Sequence, residues 1–249
     1  MLDKGFIKKE IKLNSWKILI AAAALIFFAF FLILTFPHYP EAQLTELLGQ
    51  RFQEYFADHP LFAFHLIDRW FTNLFQVGAV LAILLGMEIF ARELEVGTLD
   101  FILAAPLSRR QIFWEKNIIS LILIFLLLLL ATIFLMILLI VARYQFTAYR
   151  LLIIAAIFSL LAWIPFSLAQ LISLFLDDRA KSGILAAVLY FGFILLTGQP
   201  LDWVISEQFD WLVSYYFAGV FPFFQVVTIL GLTAALLAAA WVRFKSRDF

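Results

Sequence analysis

The chain has 249 residues, of which 65% are hydrophobic and 14% are charged, and its formal net charge is zero. Soluble globular domains are about 45–50% apolar and about 25% charged, so this composition excludes an ordinary soluble domain. Several apolar runs exceed the roughly 18 residues that mark a membrane-spanning helix, and they are apolar throughout rather than in alternation, which disfavours a barrel. We expect an all-α membrane protein that is embedded in the lipid bilayer and binds no nucleic acid.

The residue types that catalysis and metal binding need are absent or badly placed. The chain has no cysteine, so it forms neither a disulfide nor a thiolate metal site. Its three histidines, His38, His59 and His65, fall in one predicted outer segment, and no HExxH sequence occurs. Serines within the predicted spans therefore have no histidine base beside them. We predict no metal site and no catalytic residues.

Six membrane spans are predicted from windowed hydrophobicity. They cover residues 16–36, 71–91, 118–142, 151–176, 183–200 and 222–242. No internal repeat or low-complexity linker divides the chain, so residues 1–249 are treated as one membrane domain. An amphipathic N-terminal helix at 2–13, an amphipathic helix within 37–70, and surface or re-entrant helices within 199–221 are expected at the membrane faces. The alternative for residues 2–13 is a frayed basic tail that only sets topology.

The positions of lysine and arginine predict the orientation. Only Arg51, Arg69, Arg143 and Arg150 of the 18 Lys and Arg residues lie in segments that are outside when the N-terminus is in the cytoplasm. By the positive-inside rule, both termini are then cytoplasmic. We expect the membrane to be the plasma (inner) membrane. Trp70 falls near an outer end, where indole rings favour the headgroup level.

The segment between the second and third predicted spans is polar and rich in turn and cap signals. Gly97 suits the left-handed residue that ends a helix, and Thr98 can cap a new one. Pro106 ends that short helix, because proline cannot continue an interior turn. Ser108 and Gln111 have the spacing of a capping box that begins the next helix. The pattern predicts a helix of one to two turns between two longer helices.

The short helix has an apolar surface made by Leu99, Phe101, Ile102 and Leu103. An apolar helix at the tip of a hairpin is poorly buried by itself, and such helices dock into grooves on partner proteins. We therefore expect docking onto a cytoplasmic partner. The alternative is packing against the inner ends of the chain's own spans.

The segment that contains these residues resembles a motif of a known family. The run from Arg92 to Arg109, RELEVGTLDFILAAPLSR, with Lys116 following, resembles the motif of ABC-2 type transporter permeases. In that family a pattern close to E-x-x-x-G-T-L-(D/E)-x-L-L-x-x-P-(V/L)-S-R bridges the second and third spans. The order of elements is also similar: a basic N-terminal elbow helix, a span, a large outer segment, a span, this motif and four more spans.

The resemblance implies that residues 97–103 form a coupling helix, inserted into a groove on an ATPase subunit. Glu93 would anchor the start of the loop, while Pro106, Ser108 and Arg109 would shape its end. The implied coupling residues are Glu93, Gly97, Thr98, Leu99, Asp100, Phe101, Ile102, Leu103, Pro106, Ser108 and Arg109. A second inner loop would be a lesser contact, or alternatively an ordinary solvated loop; its residues are Asp177, Asp178, Arg179 and Lys181.

The partners follow from what the chain lacks and from the family. No G-x-x-x-x-G-K-[ST] sequence occurs, so the chain cannot cradle nucleotide phosphates in the usual way. ATP and Mg²⁺ are then expected on a separate ATPase subunit, in two copies, with no cofactor in this chain. By analogy with the family, six spans are half of the pore, which implies a second permease copy, in the simplest case a homodimer. The family also implies export.

Two other functions compete with this interpretation. An ion-coupled secondary transporter places ionisable groups or broken helices near the middle of the bilayer. The predicted spans have almost no charge in their central thirds, and the polar or helix-breaking residues that could line a path are Asn73, Gln76, Glu88, Pro165 and Gln170. A membrane scaffold without transport activity is the third possibility.

Overall fold

A computed structural model describes residues 4–35, 61–96, 108–176, 178–196, 211–212 and 214–247 of the chain. Within these ranges the regular elements are helices, and no strand occurs. In chain order they are α1 (Lys4–Thr35), α2 (Leu61–Val96), α3 (Arg109–Val141), α4 (Ala148–Leu161), α5 (Trp163–Ser173), α6 (Arg179–Leu196) and α7 (Phe223–Ser246). A short helical turn also occurs at residues 214–218. The all-α prediction is confirmed for the described part of the chain.

Five of the six predicted spans coincide with helices that are long and apolar enough to cross a membrane. These helices are α1, α2, α3, the α4–α5 pair and α7. The fifth predicted span, 183–200, falls on α6, which has 18 residues and is not one of the five. Residues 197–200 lie outside the described part.

The first helix differs from the prediction of a separate short helix at residues 2–13. One uninterrupted helix, α1, covers both that segment from Lys4 onward and the first span. The sequence contains no glycine or proline between Phe6 and Thr35, so nothing in the chain ends the helix between the two predicted elements. The basic segment is therefore the first part of α1.

The second helix also begins earlier than predicted. α2 starts at Leu61, directly after Pro60 in the sequence, and so includes the end of the predicted outer segment 37–70. The amphipathic helix predicted within this segment falls mostly on residues 36–60, outside the described residues.

A break divides the fourth predicted span, as the proline at position 165 suggested. α4 ends at Leu161 and α5 begins at Trp163, with Ala162 in a turn between them. Pro165 has no N–H to donate to the carbonyl of Leu161, and its ring crowds the preceding turn. The indole N–H of Trp163 donates to the carbonyl oxygen of Leu121 in α3 at 3.2 Å, which fixes the break against a neighbouring helix.

The central element of the bundle is α2. It packs most extensively against α5 and also contacts α1, α3, α4 and α6. A Cβ atom at Gly86 of α2 would overlap the carbonyl oxygen of Phe166 in α5 and lie 3.1 Å from the Cβ of Ala169. Glycine at this position therefore permits the close approach of two helix backbones, as small residues do between membrane helices.

Trp70 occupies the core instead of the membrane interface predicted for it. Its side chain is fully buried, and its indole N–H donates to the hydroxyl of Thr132 in α3 at 3.2 Å. A hydrogen-bond acceptor on the facing helix satisfies the indole nitrogen inside the protein, so the ring needs no headgroup contact. The pair joins α2 to α3.

The segment before α7 is held at the end of the bundle where α3 ends and α4 begins. Arg150 of α4 donates to the carbonyl oxygens of Tyr216 and Phe217, the second at 3.0 Å. The hydroxyl of Tyr216 accepts the main-chain N–H of Thr147 at 3.1 Å, and burial raises the pKa of this tyrosine. Of the surface helices predicted within 199–221, only residues 211–212 and 214–221 are described. Pro222 precedes α7, as predicted.

We predict that Gly86→Ala lowers the stability of the protein. The added methyl group meets the main-chain oxygen of Phe166, which cannot move away as a side chain could, and overpacking of this kind costs about 1–3 kcal/mol. The midpoint of thermal unfolding in detergent should therefore fall. Gly192→Ala and Gly231→Ala are matched controls, since open space surrounds a Cβ atom at each, and these helical positions should be neutral or slightly stabilised. Equal midpoints for all three variants would contradict the close contact of α2 with α5.

Candidate functional site

The predicted functional segment joins α2 to α3, and its two flanks are described. We call this end of the bundle the loop end, defined by the C-terminus of α2, the N-termini of α3 and α6, and the C-terminus of α7. Residues 97–107 lie outside the described part of the chain, including the predicted coupling residues Gly97, Thr98, Leu99, Asp100, Phe101, Ile102, Leu103 and Pro106. Glu93, Ser108 and Arg109 are described. The site is therefore built from the residues that hold the segment at both ends.

The flank on α3 has the local structure that the sequence predicts. α2 is described up to Val96, and α3 begins at Arg109. Ser108 is the N-cap of α3, and its hydroxyl accepts the N–H of Gln111 at 3.2 Å. The side-chain amide of Gln111 donates to Glu115 at 2.9 Å. The first half of the predicted capping box is thus present, and the glutamine side chain bonds along the helix.

Lys116 of α3 joins three helices at the loop end. Its Nζ atom lies 2.8 Å from Oε1 of Glu93 in α2, 3.1 Å from Oε1 of Glu10 in α1, and 3.0 Å from the carbonyl oxygen of Ile89. The lysine side chain is 3% exposed, and the two carboxylates are 9% and 8% exposed. An ammonium group has three N–H donors, and each of them finds an oxygen here.

Lys17 of α1 is bound in the same way. Its acceptors on α2 lie about one and a half turns before those of Lys116. The Nζ atom of Lys17 lies 2.6 Å from Oε2 of Glu88, 3.3 Å from the carbonyl oxygen of Leu84, and 3.1 Å from Oδ1 of Asn14. Both lysines therefore contact a carbonyl of α2 and the carboxylate four residues further along it: Leu84 with Glu88, and Ile89 with Glu93. We call Glu10, Lys17, Glu88, Glu93 and Lys116 the two-lysine cluster.

The charges of this cluster are matched and shielded from solvent. Arg92 adds a third cation, with Nη1 3.7 Å from Oε2 of Glu88. Removing two ions from water costs several kcal/mol each, and close pairing with further hydrogen bonds is what offsets that cost. A cavity of about 210 Å³ borders the cluster and is lined by Glu10, Glu88, Glu93 and Lys116 among others. Oε2 of Glu93 is buried without a hydrogen-bond partner.

The second predicted loop is connected to the first through Glu95 of α2. Its Oε1 atom accepts the main-chain N–H of Arg179 at 2.8 Å, and its Oε2 atom lies 2.9 Å from Nε of the same arginine. Asp178 caps α6, because its Oδ1 atom accepts the N–H of Lys181 at 2.9 Å, and this bond lowers the pKa of the carboxyl group. Asp177 lies outside the described residues. The described members of the secondary loop therefore adjoin the C-terminus of α2.

Arg109 reaches the other side of the loop end. Its Nη1 atom donates to the carbonyl oxygen of Arg247, after α7, at 2.9 Å. The guanidinium of Arg247 in turn donates to the carbonyl oxygen of Leu174, after α5, at 2.8 Å. Beneath these contacts, the rings of Phe90, Phe113 and Phe244 pack together, with centroids 4.5 to 5.8 Å apart. The start of α3 is thus joined to the end of α7.

The five residues considered for a transport path do not form one site. Glu88 belongs to the two-lysine cluster, whereas Asn73 donates to the carbonyl of Arg69 within its own helix at 2.8 Å. Gln76 is exposed at a groove between α1 and α2. Pro165 lies at the break before α5, and Gln170 is fully buried in α5 with neither side-chain amide atom hydrogen-bonded. No described contact links these residues into a path.

Sequence reasoning missed the role of α1 at this end. The sequence predicts no role for Lys17 beyond orientation, and none for Glu10 or Asn14. The signal was present, since residues 10, 14, 17 and 21 follow helical spacing and all four are buried. Glu10 is also the only acid from Lys4 to Thr35, within a basic segment.

We predict that Lys116→Met destabilises the protein by about 3–5 kcal/mol, because it leaves Glu10 and Glu93 buried without a cation. The midpoint of thermal unfolding in detergent is the measurement. Lys181→Met is the matched control, since the Lys181 side chain is 76% exposed beside Asp178 and such surface pairs contribute about 0–1 kcal/mol. A Lys116 variant as stable as the Lys181 variant would show that the buried ion pairs are absent.

A comparison with protein families agrees with the architecture and the motif. A family model described as an ABC-2 family transporter protein matches residues 7–211, a range that runs from α1 through α6 and includes both loops at the loop end. No curated protein gave a significant match. The chain therefore belongs to the ABC-2 family of transporter proteins, as a multi-pass membrane protein with the features of a transport subunit.

Proposed function

We propose that this chain is the permease subunit of an ATP-binding cassette exporter whose ATPase is a separate polypeptide. Membership of the ABC-2 family supports a transport subunit. The chain has no P-loop sequence, so ATP and Mg²⁺ bind to the partner. Two ATPase subunits and two permease copies form the complete transporter, in the simplest case with a homodimer of this chain.

The loop end faces the cytoplasm in this proposal. Fourteen of the 18 lysines and arginines lie in the segments on that side, which the positive-inside rule assigns to the cytoplasm. The membrane in this proposal is the plasma (inner) membrane. The two described loop flanks and the end of α7 are all on this side. An ATPase in the cytoplasm therefore meets residues 97–107 and the loop before α6.

The main support for the proposal is that the bundle holds both ends of the loop segment 97–107. Its start is held by the Glu93–Lys116 ion pair at 2.8 Å, and its end by the Ser108 cap and the Arg109–Arg247 bond. A segment that receives force from a partner needs rigid attachment on both sides. The apolar residues Leu99, Phe101, Ile102 and Leu103 then form the coupling helix that enters the ATPase groove.

The second loop acts with the first. The two contacts between Glu95 and Arg179 connect the C-terminus of α2 to the N-terminus of α6. An ATPase that displaces the coupling helix therefore also displaces the loop that contains Asp178, Arg179 and Lys181. Glu88 takes no part in ion transport in this account, because Lys17 and Arg92 already neutralise it.

Purification of the tagged chain from its native membrane tests the function. We expect a co-purified polypeptide that contains a G-x-x-x-x-G-K-[ST] sequence by mass spectrometry and gives the complex Mg²⁺-dependent ATP hydrolysis. A complex without such a polypeptide, together with transport that stops when the proton gradient collapses, would support a secondary transporter instead. Absence of both the ATPase and transport would support a scaffold.

We predict that Leu99→Asp with Phe101→Asp abolishes co-purification of the ATPase while the chain still inserts into the membrane. Two carboxylates on the apolar face would enter the ATPase groove without partners, which opposes docking. Gly97→Pro should uncouple the complex, because proline cannot adopt the left-handed conformation predicted there. Co-purification is measured as the ratio of ATPase to permease in the eluted complex, and Thr228→Ala on α7 is a control that should keep the wild-type ratio. An unchanged ratio in the double variant would exclude the coupling helix as the main contact.

A further inference from the structure

We propose that the two-lysine cluster makes α1 part of the moving unit, so that α1, α2 and α3 respond to the ATPase as one rigid body. This inference rests on the proposed function, and it assigns Glu10, Lys17 and Lys116 as positioning residues for ATP-driven movement. The coupling segment joins α2 to α3 and has no direct connection along the chain to α1. Its movement reaches α1 through the Lys116–Glu10 and Lys17–Glu88 pairs.

The cluster is built to connect α1 with both of the other helices. Lys17, on α1, pairs with Glu88 on α2, and Glu10, on α1, pairs with Lys116 on α3. Lys116 also pairs with Glu93, three residues before the end of α2. The two lysines together use six oxygen acceptors, of which four belong to α2. Displacement of α2 therefore breaks charged hydrogen bonds in a buried place unless α1 follows.

The ion pairs add polar links to the apolar packing of α1 against α2. A groove of about 280 Å³ lies between the two helices beside the cluster, and Lys17, Ala21 and Ala24 of α1 and Val80 and Leu84 of α2 are among its lining residues. The pair between Lys17 and Glu88 therefore connects the two helices where the groove leaves part of their surfaces out of contact.

The contact between α1 and α3 continues further along the bundle. The rings of Phe30 and Phe134 pack edge to face with centroids 5.8 Å apart, and Leu25, Ala29 and Leu32 of α1 are buried in the common core. α1 is therefore held to α3 both at the loop end and in the membrane interior. A rigid unit of three helices is the mechanical consequence.

The absence of cysteine from the chain allows this proposal to be tested with spin labels at introduced cysteines. Ser15 on α1, Arg110 on α3 and Val227 on α7 are exposed. A pair of labels at any two of them reports one distance within a chain when labelled and unlabelled copies are mixed, so that each complex contains at most one labelled copy. The sample is the complex purified with its ATPase, and each distance is measured without nucleotide and after trapping with ATP, Mg²⁺ and vanadate. Labelled complexes are used only if they hydrolyse ATP like the wild type.

The wild-type complex should keep the Ser15–Arg110 distance constant, while the Ser15–Val227 and Arg110–Val227 distances both shift by more than about 2 Å, the scale of helix movements in switching proteins. Val227 is the reference because it lies near the start of α7, whereas the end of α7 is bonded to α3 through Arg109 and Arg247. A shift of the Ser15–Arg110 distance by that amount would overturn the rigid unit. Constant values for all three distances in a complex that hydrolyses ATP would overturn it as well.

The variant Glu10→Gln with Lys17→Met removes both ionic links to α1 and leaves the Lys116–Glu93 pair between α2 and α3. We expect the ATP-dependent Ser15–Val227 shift to become smaller, because Ser15 lies at the end of α1 that these pairs hold, and the Arg110–Val227 shift to remain. Retention of both shifts at full size would contradict the proposal. Asn73→Ala, which removes a bond within α2 only, is the matched control and should keep both shifts.

A conservative substitution at position 17 provides a second test. Lys17→Arg in the Glu10→Gln background keeps a cation that can donate to Glu88, and it should keep the Ser15–Val227 shift that Glu10→Gln with Lys17→Met reduces. A shift reduced to the same extent in this variant would mean that packing at position 17, and not the ion pair, joins α1 to α2. A wild-type complex that contains no ATPase would instead refute the proposed function, which separates that failure from this one.

Discussion

The loop end of this protein depends on two buried ammonium groups that have all their hydrogen bonds satisfied. Lys17 and Lys116 each contact three oxygen atoms, including one carboxylate and one carbonyl of α2. A helix carbonyl that already accepts its usual N–H still has a second lone pair, which is what a lysine can use. Because a buried ion without partners costs several kcal/mol, neither lysine can leave its acceptors easily. The positions of α1, α2 and α3 relative to one another follow from this requirement.

Other contacts between helices also lie at the loop end, where the proposed coupling segment 97–107 would need them. Glu95 links α2 to α6, and Arg109 links α3 to the end of α7. The close contact at Gly86 then joins α2 to α5. A displacement applied between α2 and α3 is thus passed to several helices. This distribution of contacts fits the family membership and the proposed role of a permease that is moved by a separate ATPase.

Much of the fold could be predicted from the sequence, because long apolar runs and cap signals act locally. Ser108 caps α3, and Pro165 marks the break in the fourth span, each by interactions within a few residues. The continuity of α1 was missed, since a change from basic to apolar composition does not itself end a helix. The pairing of Lys116 with Glu10, 106 residues apart, could not be derived from a pattern, because it depends on which helices become neighbours. Trp70 was misplaced for the same reason: its partner, Thr132, lies on another helix.

A double-mutant cycle on Lys116 and Glu10 tests most directly whether buried charge joins the helices at the loop end. The stabilities of Lys116→Met, Glu10→Gln, the double variant and the wild type give the interaction energy between the two side chains. We predict a favourable coupling within the range of about 0.5–3 kcal/mol found for residues in contact, and towards its upper part because both groups are buried. If the destabilisation by the double variant equals the sum of the two single effects to within about 0.3 kcal/mol, as it does for distant residues, no ion pair connects α1 to α3.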